Sequence, residues 1–301
     1  MKSGFVSILG RPNTGKSTLL NALVGTKISI VANKPQTTRT SIQGVAHLPD
    51  AQIVFLDTPG IHKADSLINR RMMDTVRAAL DERDLLLFVA DAKAKFGVQD
   101  QHAIDLVKKT GTPALLVLNK IDLLGKDKGA LLPLIEQYRV YHEFADYLPV
   151  SARAGSGLDK LREAIIARLP EGPAYFPPDY ITDQPERFLA SELIREKILE
   201  ATREEVPHSV AVVVDSWEDT PKLTRIFATI YVERAGQKAI IIGAGGSMLK
   251  KIGTLAREEM QRIFGRHIYL DVHVKVQSGW REKPNFLAAL DWRTMAGVDE
   301  N

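Results

Sequence analysis

Short apolar runs alternate with stretches of helical periodicity over the first 170 residues of this chain. The runs have the length of strands, and six strands are predicted at 5–9, 41–47, 53–57, 85–91, 114–119 and 148–150. Apolar residues at helical spacing predict five helices between them, at 17–24, 67–81, 99–109, 129–141 and 158–168. Strands that alternate with helices form a mostly parallel sheet covered on both faces, so ligand-binding loops are expected at the carboxyl ends of the strands.

The pattern changes at residue 170. Five prolines lie between residues 170 and 185, and no regular periodicity persists there, which is typical of a linker. Beyond it the sequence predicts a helix at 186–204, strands at 209–215 and 224–232, a glycine loop, a long helix ending near 264, a strand at 268–276 and a short helix at 285–290. We therefore expect an α/β domain over 1–170, a linker over 171–185, a smaller α+β domain over 186–283 and a tail over 284–301.

Composition excludes some classes of site. The chain has no cysteine, which excludes disulfides and thiolate metal sites and fits a reducing cytosol. The longest apolar runs, at 85–90 and 114–118, are too short to span a membrane, and the first strand begins too early to leave room for a signal peptide. Lys and Arg outnumber Asp and Glu by 10 to 4 over residues 234–283. This basic island is compatible with a polyanionic partner, although a solvated surface is the commoner cause of a single cluster.

The loop after the first predicted strand has the pattern of a phosphate-binding loop, G-x-x-x-x-G-K-[ST], in the strand–loop–helix context that such loops require. Its residues are Gly10, Arg11, Pro12, Asn13, Thr14, Gly15, Lys16, Ser17 and Thr18. Backbone N–H groups and the helix N-terminus would surround phosphate oxygens. Lys16 would reach the β- and γ-phosphates, and Ser17 would offer its hydroxyl to Mg²⁺.

A second motif selects the base. Asn119, Lys120 and Asp122 follow the strand predicted at 114–119. The Asp122 carboxylate can accept hydrogen bonds from the ring N1–H and the exocyclic amino group of guanine, whereas adenine presents an acceptor at N1. Asn119 would connect loops and the Lys120 stem would cover the ring, while backbone N–H groups at Ser151 and Ala152 would meet the guanine carbonyl. GTP and GDP are the predicted ligands.

Two further segments are predicted to sense the γ-phosphate. The first is the run Asp57, Thr58, Pro59 and Gly60, in which Asp57 would bind a water of the Mg²⁺ shell and the Gly60 N–H would meet the γ-phosphate. The second is the segment 36–40, where Thr38 is the candidate for a second hydroxyl on Mg²⁺ and Thr37 is the competitor.

Taken in chain order, the five motifs resemble those of the translation-factor-related GTPases over the whole first domain. They are Gly10–Thr18, Gln36–Thr40, Asp57–Gly60, Asn119–Asp122 and Ser151–Arg153. Many small GTPases have a water-orienting glutamine where this chain has Ile61, which can neither donate nor accept a hydrogen bond, so slow intrinsic hydrolysis is expected. Asn13 matches the asparagine that helps to bind a monovalent cation in potassium-stimulated relatives, which makes K⁺ a candidate cofactor; a loop-stabilising amide is the alternative. The candidate catalytic residues are Lys16, Thr38, Gly60 and Asn13.

The second domain contains a G-x-x-G loop ahead of an amphipathic helix. This loop is typical of the KH fold, in which it brings the backbone close to single-stranded nucleic acid. We expect the type II form of that fold. The residues of the loop are Ile242, Gly243, Ala244, Gly245 and Gly246. The apolar residues 240–242 would underlie the bases, and the basic candidates for phosphate contact include Lys250, Lys251 and Arg257. KH loops often have a basic residue where this chain has Ala244 and Gly245. Trp280 could stack on a base or be a core or hinge aromatic.

A GTPase domain, a proline-rich linker and a C-terminal KH domain in one chain of this length resemble the Era family of bacterial ribosome-assembly GTPases, apart from Thr14, where valine is usual. The resemblance implies binding near the 3′ end of 16S ribosomal RNA and a role in maturing the 30S subunit. It also implies a cytoplasmic protein in loose peripheral contact with the inner face of the cell membrane; DNA is not an expected partner.

Three functional hypotheses follow from the sequence. In the first, GTP and GDP stabilise different arrangements of loops 28–42 and 58–70, and these change RNA binding by the second domain. In the second, the chain is a constitutive RNA-binding assembly chaperone in which nucleotide mainly stabilises the fold. In the third, it is a signalling GTPase at the membrane with the KH unit as a protein dock.

The assignment of guanine predicts the effect of one substitution. Asp122→Asn should weaken GTP binding by about 100-fold and bring a gain in affinity for xanthosine triphosphate, because the amide can donate to the extra carbonyl of xanthine. Fluorescent-nucleotide titration measures both affinities, and an unchanged preference for GTP would contradict the assignment.

Overall fold

The computed structural model describes residues 1–34, 36–61, 65–125, 128–203 and 206–292. The chain divides into two compact units. Unit 1 consists of residues 1–31, 38–64 and 69–183, and unit 2 consists of residues 32–37, 65–68 and 184–301.

Unit 1 is built on a six-stranded sheet with the order β2-β3-β1-β4-β5-β6. The strands are β1 (Lys2–Leu9), β2 (Ile42–Leu48), β3 (Ala51–Asp57), β4 (Leu85–Asp91), β5 (Ala114–Asn119) and β6 (Asp146–Pro149). All neighbouring pairs are parallel except β2 with β3. The helices are α1 (Lys16–Val24), α2 (Leu67–Ala78), α3 (Val98–Thr110), α4 (Leu131–Tyr141) and α5 (Leu158–Ile166). The six strands and five helices predicted for this part of the chain are confirmed, with ends shifted by a few residues.

Apolar cores cover both faces of this sheet, which explains why its central strands are continuous apolar runs. On one face Ile8, Leu20 and Phe55 belong to a fully buried cluster. On the other face Phe88 and Leu116 belong to a second one. The polar loops at the carboxyl ends of β1, β3 and β5 are thereby fixed on a rigid support.

The proline-rich segment lies along the edge of the sheet. The Val45 N–H donates to the carbonyl of Ile181 at 2.8 Å. The side-chain oxygen of Gln52, a residue only 1% exposed, accepts from the N–H groups of Tyr175 and Phe176 at 2.7 and 3.0 Å. The Thr182 hydroxyl donates to the Gln43 carbonyl at 2.7 Å. Residues 175–182 therefore cover the edge strand β2.

Unit 2 has a three-stranded sheet with the order β7-β8-β9, in which β7 and β8 are antiparallel and β8 and β9 parallel. Its elements are α6 (Glu186–Ala201), β7 (Ala211–Asp219), β8 (Thr224–Val232), α7 (Ala235–Ile242), α8 (Ser247–Phe264), β9 (Ile268–Val276) and α9 (Pro284–Ala288). The parallel pair needs a crossover, and α7 and α8 provide it. The mostly parallel α/β domain followed by a smaller α+β domain, expected from the sequence, is confirmed.

Helix α7 was missing from the sequence prediction, because its Ile240–Ile242 run is β-branched and indicates no helix. A capping interaction starts it. The Gln237 side chain accepts from the N–H groups of Glu233 and Arg234, both at 3.0 Å, and so satisfies two donors that a helix start leaves without partners.

No single helix in the described ranges is long and apolar enough to cross a membrane. Helices α7 and α8 meet that criterion only together, across a bend of 44°. Their apolar residues Ile241, Ile252, Ala256 and Met260 are buried, as expected of core helices.

Candidate functional site

The phosphate loop connects β1 to α1 through backbone conformations that only small residues adopt without strain. Gly10 has a φ of 149° and Gly15 a φ of 90°. A Cβ at Gly10 would lie 2.3 Å from the carbonyl oxygen of Val89, and one at Gly15 would lie 2.4 Å from Nδ2 of Asn119. The glycines are therefore required because neighbouring loops approach the backbone, leaving N–H groups accessible to a phosphate.

Lys16 is 6% exposed, and its ammonium group binds the loop itself. Its Nζ donates to the carbonyls of Gly10 and Arg11 at 3.2 and 2.9 Å. Burial lowers the pKa of Lys16 to about 8, against the opposing attraction of Asp57. The charge of this buried cation is only partly compensated by Asp57, and the negative charge of a polyphosphate would compensate the rest.

Three side-chain oxygens converge beside Lys16. The Ser17 hydroxyl donates to Oδ2 of Asp57 at 2.6 Å and lies 2.8 Å from Oγ1 of Thr38. Thr38 Oγ1 is also 3.5 Å from the same carboxylate oxygen. The Thr37 hydroxyl instead donates to the carbonyls of Ala32 and Lys34 at 3.1 and 2.6 Å, so Thr38 and not its competitor lies in the site.

The Asp57 carboxylate fits a divalent cation. It is fully buried, which raises its pKa to about 6 although Lys16 opposes the shift. Its Oδ1 makes no hydrogen bond within the described part of the chain. One carboxylate and two hydroxyls are the hard oxygen ligands that suit Mg²⁺ with waters and phosphates completing the shell.

The predicted base-reading residues are brought together. Asn119 Nδ2 donates to the Thr14 carbonyl at 2.9 Å, and its Oδ1 accepts from the Ala152 N–H at 3.0 Å, which connects three loops. Lys120 Nζ donates to the Asn13 carbonyl at 2.5 Å. The Ser151 hydroxyl donates to Oδ1 of Asp122 at 2.6 Å and so orients its exposed carboxylate.

The Asp57–Gly60 segment passes directly beneath the phosphate loop. The Thr58 hydroxyl donates to the Ile8 carbonyl at 2.9 Å, and a Cβ at Gly60 would lie 2.9 Å from Cα of Pro12. The backbone of Gly60 is therefore next to the loop, as its assigned role requires. The side chain of Ile61 packs against the core cluster that contains Phe88, whereas its main-chain N–H contacts the phosphate loop, where it donates to the Gly10 carbonyl at 3.4 Å.

Sequence reasoning missed a buried ion pair that anchors the phosphate loop. Nε of Arg11 lies 3.0 Å from Oδ1 of Asp100, which is fully buried on α3. The same carboxylate accepts from the Tyr138 hydroxyl at 2.8 Å and from the Gly97 N–H at 2.9 Å. Burial, reinforced by Asp100, raises the pKa of Tyr138 and keeps it a donor. The Arg11 guanidinium is thus bound to α3, leaving its backbone as the part that can meet a nucleotide.

The G-x-x-G loop of unit 2 has two glycines that are needed for different reasons. Gly243 has a φ of 71°, and a Cβ there would lie 2.7 Å from Cβ of Met248. Gly246 has a φ of 81°, but a Cβ there would meet no atom within 4 Å. Gly243 therefore permits the turn, and Gly246 leaves open space beside the exposed Ala244 and Gly245.

An open groove of about 370 Å³ adjoins this loop. It is lined by Gly246, Leu249, Lys250, Gly253, Thr254, Arg257, Leu270 and Val272. Lys250 and Arg257, predicted from the basic island, are among these residues, whereas the exposed Lys251 is not. The apolar floor of the groove is formed by Leu249 on α8 and by Leu270 and Val272 on β9. The packing of α8 against β9 could not be predicted from the sequence, because no local pattern indicates it.

The structure corrects one sequence expectation for this surface and decides between two alternatives that the sequence left open for Trp280. Ile240–Ile242 does not underlie bases as a block, because the run is helical and turns the fully buried Ile241 into the core; Ile242 is half-buried next to Gly243. Trp280 is fully buried, and its Nε1 donates to the Ser209 carbonyl at 3.1 Å. It is a core residue and cannot stack on a base.

Comparison with known proteins identifies both units. A family model described as a 50S ribosome-binding GTPase matches residues 5–120, and a KH-domain model matches residues 205–281. The GTPase Era of Heliobacterium modesticaldum is 48% identical over 95% of this chain and 96% of its own length. The GTPase Era of Geobacter metallireducens is 48% identical over 97% of this chain and 98% of its own length.

Two solved structures are similar over nearly the entire chain. One is Aquifex aeolicus Era bound to GDP and AlF4−, as a single-residue variant, and the other is Era in complex with MgGDPNP and nucleotides 1506–1542 of 16S ribosomal RNA. Each has a TM-score of 0.93 and 42% sequence identity, and the alignment covers 97% of this chain and 99% of that one.

The anchor of the phosphate loop can be tested by removing one charge. Asp100→Asn should lower the free energy of unfolding by about 2–3 kcal/mol, because Arg11 and two neutral donors lose a charged acceptor. It should also weaken GDP binding, because Arg11 no longer fixes the loop. Asp105→Asn is the matched control on the same helix. The Asp105 carboxylate accepts a hydrogen bond from the Tyr141 hydroxyl at 3.0 Å and does not contact the phosphate loop in the described part of the chain. Urea unfolding and nucleotide titration would contradict the assignment if both variants behaved alike.

Proposed function

The chain belongs to the Era family of GTPases, and on that basis we propose that its KH domain binds RNA under the control of the nucleotide in its GTPase domain. The observation that carries the proposal is the convergence of Ser17, Thr38 and Asp57. Thr38 comes from one of the two segments predicted to sense the γ-phosphate, and Asp57 begins the other. A ligand that binds there makes contact with both.

The proposed ligands of unit 1 are GTP or GDP with Mg²⁺. The Era structure with MgGDPNP supports them, as do the buried and incompletely neutralised charges of Lys16 and Asp57. Mg²⁺ supplies charge neutralisation between the β- and γ-phosphates. Lys16 would move from its loop carbonyls to the phosphates, the backbone N–H groups of the loop would bind phosphate oxygens, and Asp122 would bind the guanine edge.

The contribution of this chain to hydrolysis is placement of the γ-phosphate. Gly60 would direct its N–H to that phosphate, and Thr38 would complete the oxygen set below it. Since Ile61 provides no group that orients water, we propose slow intrinsic hydrolysis that depends on an additional cation or partner.

The proposed partner of unit 2 is the 3′ region of 16S ribosomal RNA, in the assembly of the 30S subunit. The Era complex with nucleotides 1506–1542 supports this partner. The groove next to Gly246 has the two properties that single-stranded RNA needs, an apolar floor for bases and the cations Lys250 and Arg257 for phosphates.

The coupling is tested by RNA affinity in two nucleotide states. An oligonucleotide of the 1506–1542 sequence should bind the GDPNP and GDP forms with affinities that differ by at least about fivefold. Equal affinities would refute the coupling. If Lys16→Ala abolished GTP binding but left RNA affinity at its GDPNP value, the constitutive chaperone would be favoured. The absence of any salt-sensitive RNA binding would favour the membrane signalling GTPase with the KH unit as a protein dock.

The groove makes a prediction about salt. Lys250→Gln should reduce the slope of log K against log[salt] by about 0.7, the contribution of one phosphate contact to single-stranded RNA. Lys251→Gln, the neighbouring lysine outside the groove, should reduce it less. Equal slopes for the two variants would contradict the proposal that RNA binds in the groove lined by Lys250.

We also propose that Asn13 helps to bind K⁺ beside the phosphates. Asn13 is exposed at the loop surface in a left-handed conformation, with a φ of 63°, which directs its side chain away from the core. GTP hydrolysis should then be faster in K⁺ than in Na⁺ at matched ionic strength, and Asn13→Ala should remove the difference. Equal wild-type rates would leave Asn13 as a loop-stabilising amide.

A further inference from the structure

Arg195 on α6 is a buried arginine that none of the motifs explains. It is 1% exposed. Glu192, one turn earlier, accepts from its Nε at 2.7 Å and from its Nη2 at 2.5 Å, which orients the guanidinium as a rigid plane. The remaining donors are directed at the main chain of a distant segment, where Nη1 donates to the Gln36 carbonyl at 3.3 Å and Nη2 donates to the Thr37 carbonyl.

The backbone that Arg195 binds is in a costly conformation. Gln36 has a φ of 60°, in the left-handed region that a residue other than glycine adopts only where its surroundings impose it. A contact with two successive carbonyls controls the path of the backbone regardless of the side chains. Segment 32–37 belongs to unit 2, and the next residue of the chain is Thr38.

Thr38 depends on that path. The Thr37 carbonyl belongs to the planar peptide that joins Thr37 to Thr38, whose Cα atoms are about 3.8 Å apart, so a shift of that carbonyl also displaces the start of Thr38. The hydroxyl lies 2.8 Å from Ser17 Oγ, and Mg²⁺ ligands tolerate displacements of only a few tenths of an ångström about a bond of roughly 2.0–2.1 Å.

Helix α6 also connects to the RNA groove within unit 2. Lys197, two residues after Arg195, forms an ion pair of 2.6 Å with Glu259 on α8. Arg257 and Lys250 of the groove are on the same helix α8, against which α6 packs. One rigid element therefore contacts both the segment before Thr38 and the helix that lines the groove.

We propose that Arg195 is a positioning residue that fixes the backbone at 36–37, so that Thr38 is presented to the γ-phosphate and Mg²⁺ site and its position is linked to α6 and the RNA groove. The proposal rests on the proposed function. It adds the residue through which the nucleotide state is transmitted.

The matched variants are Arg195→Gln and Arg187→Gln. Arg187 is another arginine of α6 that donates to two successive carbonyls, those of Val214 at 2.6 Å and Asp215 at 2.8 Å, but these belong to β7. Both variants remove an arginine of α6 that donates to two successive carbonyls, and only Arg195 contacts the segment before Thr38. Arg187 differs in being exposed and in bonding to carbonyls, whereas Arg195 is buried and also paired with Glu192. Thermal unfolding of the full chain establishes that both variants fold.

The direct test is nucleotide discrimination in Mg²⁺. Arg195→Gln should weaken GDPNP binding about tenfold and leave GDP binding within twofold, because Thr38 belongs to a segment proposed to respond to the presence of the γ-phosphate. Arg187→Gln should change neither affinity. In a double-mutant cycle, Thr38→Ala with Arg195→Gln should cost no more than Thr38→Ala alone. An unchanged ratio of GDPNP to GDP affinity in Arg195→Gln, or additive effects in the cycle, would overturn the proposal.

RNA binding separates this proposal from the one on which it rests. If the wild-type protein bound the 1506–1542 oligonucleotide equally in both nucleotide states, the proposed coupling would fail while the nucleotide measurements still decided the role of Arg195. If the wild type discriminated, Arg195→Gln should bring the ratio of RNA affinities close to one. Full retention of the wild-type ratio would overturn the role of Arg195 and leave the coupling standing.

Discussion

Two charges of opposite sign are buried at the carboxyl ends of β1 and β3, and the nucleotide site depends on them. Lys16 and Asp57 both have pKa values displaced toward their neutral forms, because burial removes the water that would solvate the charges and each compensates the other only in part. A triphosphate with a divalent cation carries the complementary pair of charges. The rigid sheet prevents the pocket from relaxing around its own charges, so charge recognition is left to the ligand.

The surrounding structure keeps this arrangement in place through contacts between loops. Asn119 connects the base-reading loop to the phosphate loop, and Asp100 fixes the phosphate loop to α3 through Arg11. Because these contacts use buried side chains with defined partners, the loops have little freedom to move independently. The segment before Thr38 differs from them, since its backbone is bound by Arg195 within unit 2.

The sequence was sufficient to predict the elements of unit 1 and the residues that converge on its nucleotide pocket, because each motif is a short run directly after a strand. It could choose between Thr37 and Thr38 only as a preference, since the choice depends on the path of the backbone. The pairs Arg11–Asp100 and Arg195–Thr37 could not be predicted, because they join residues far apart in sequence through ordinary side chains. Helix α7 was missed for the opposite reason, as a β-branched run concealed a helix that one glutamine starts.

The strap of residues 175–182 along β2 has a consequence for self-association. An exposed edge strand is a template on which another chain can add a strand and begin aggregation. Here the covering segment includes Pro177 and Pro178, which have no N–H to donate to a further strand. This edge of the sheet therefore ends in a segment that is poorly suited to extend it, and residues with the composition of a simple linker also disfavour strand addition at β2.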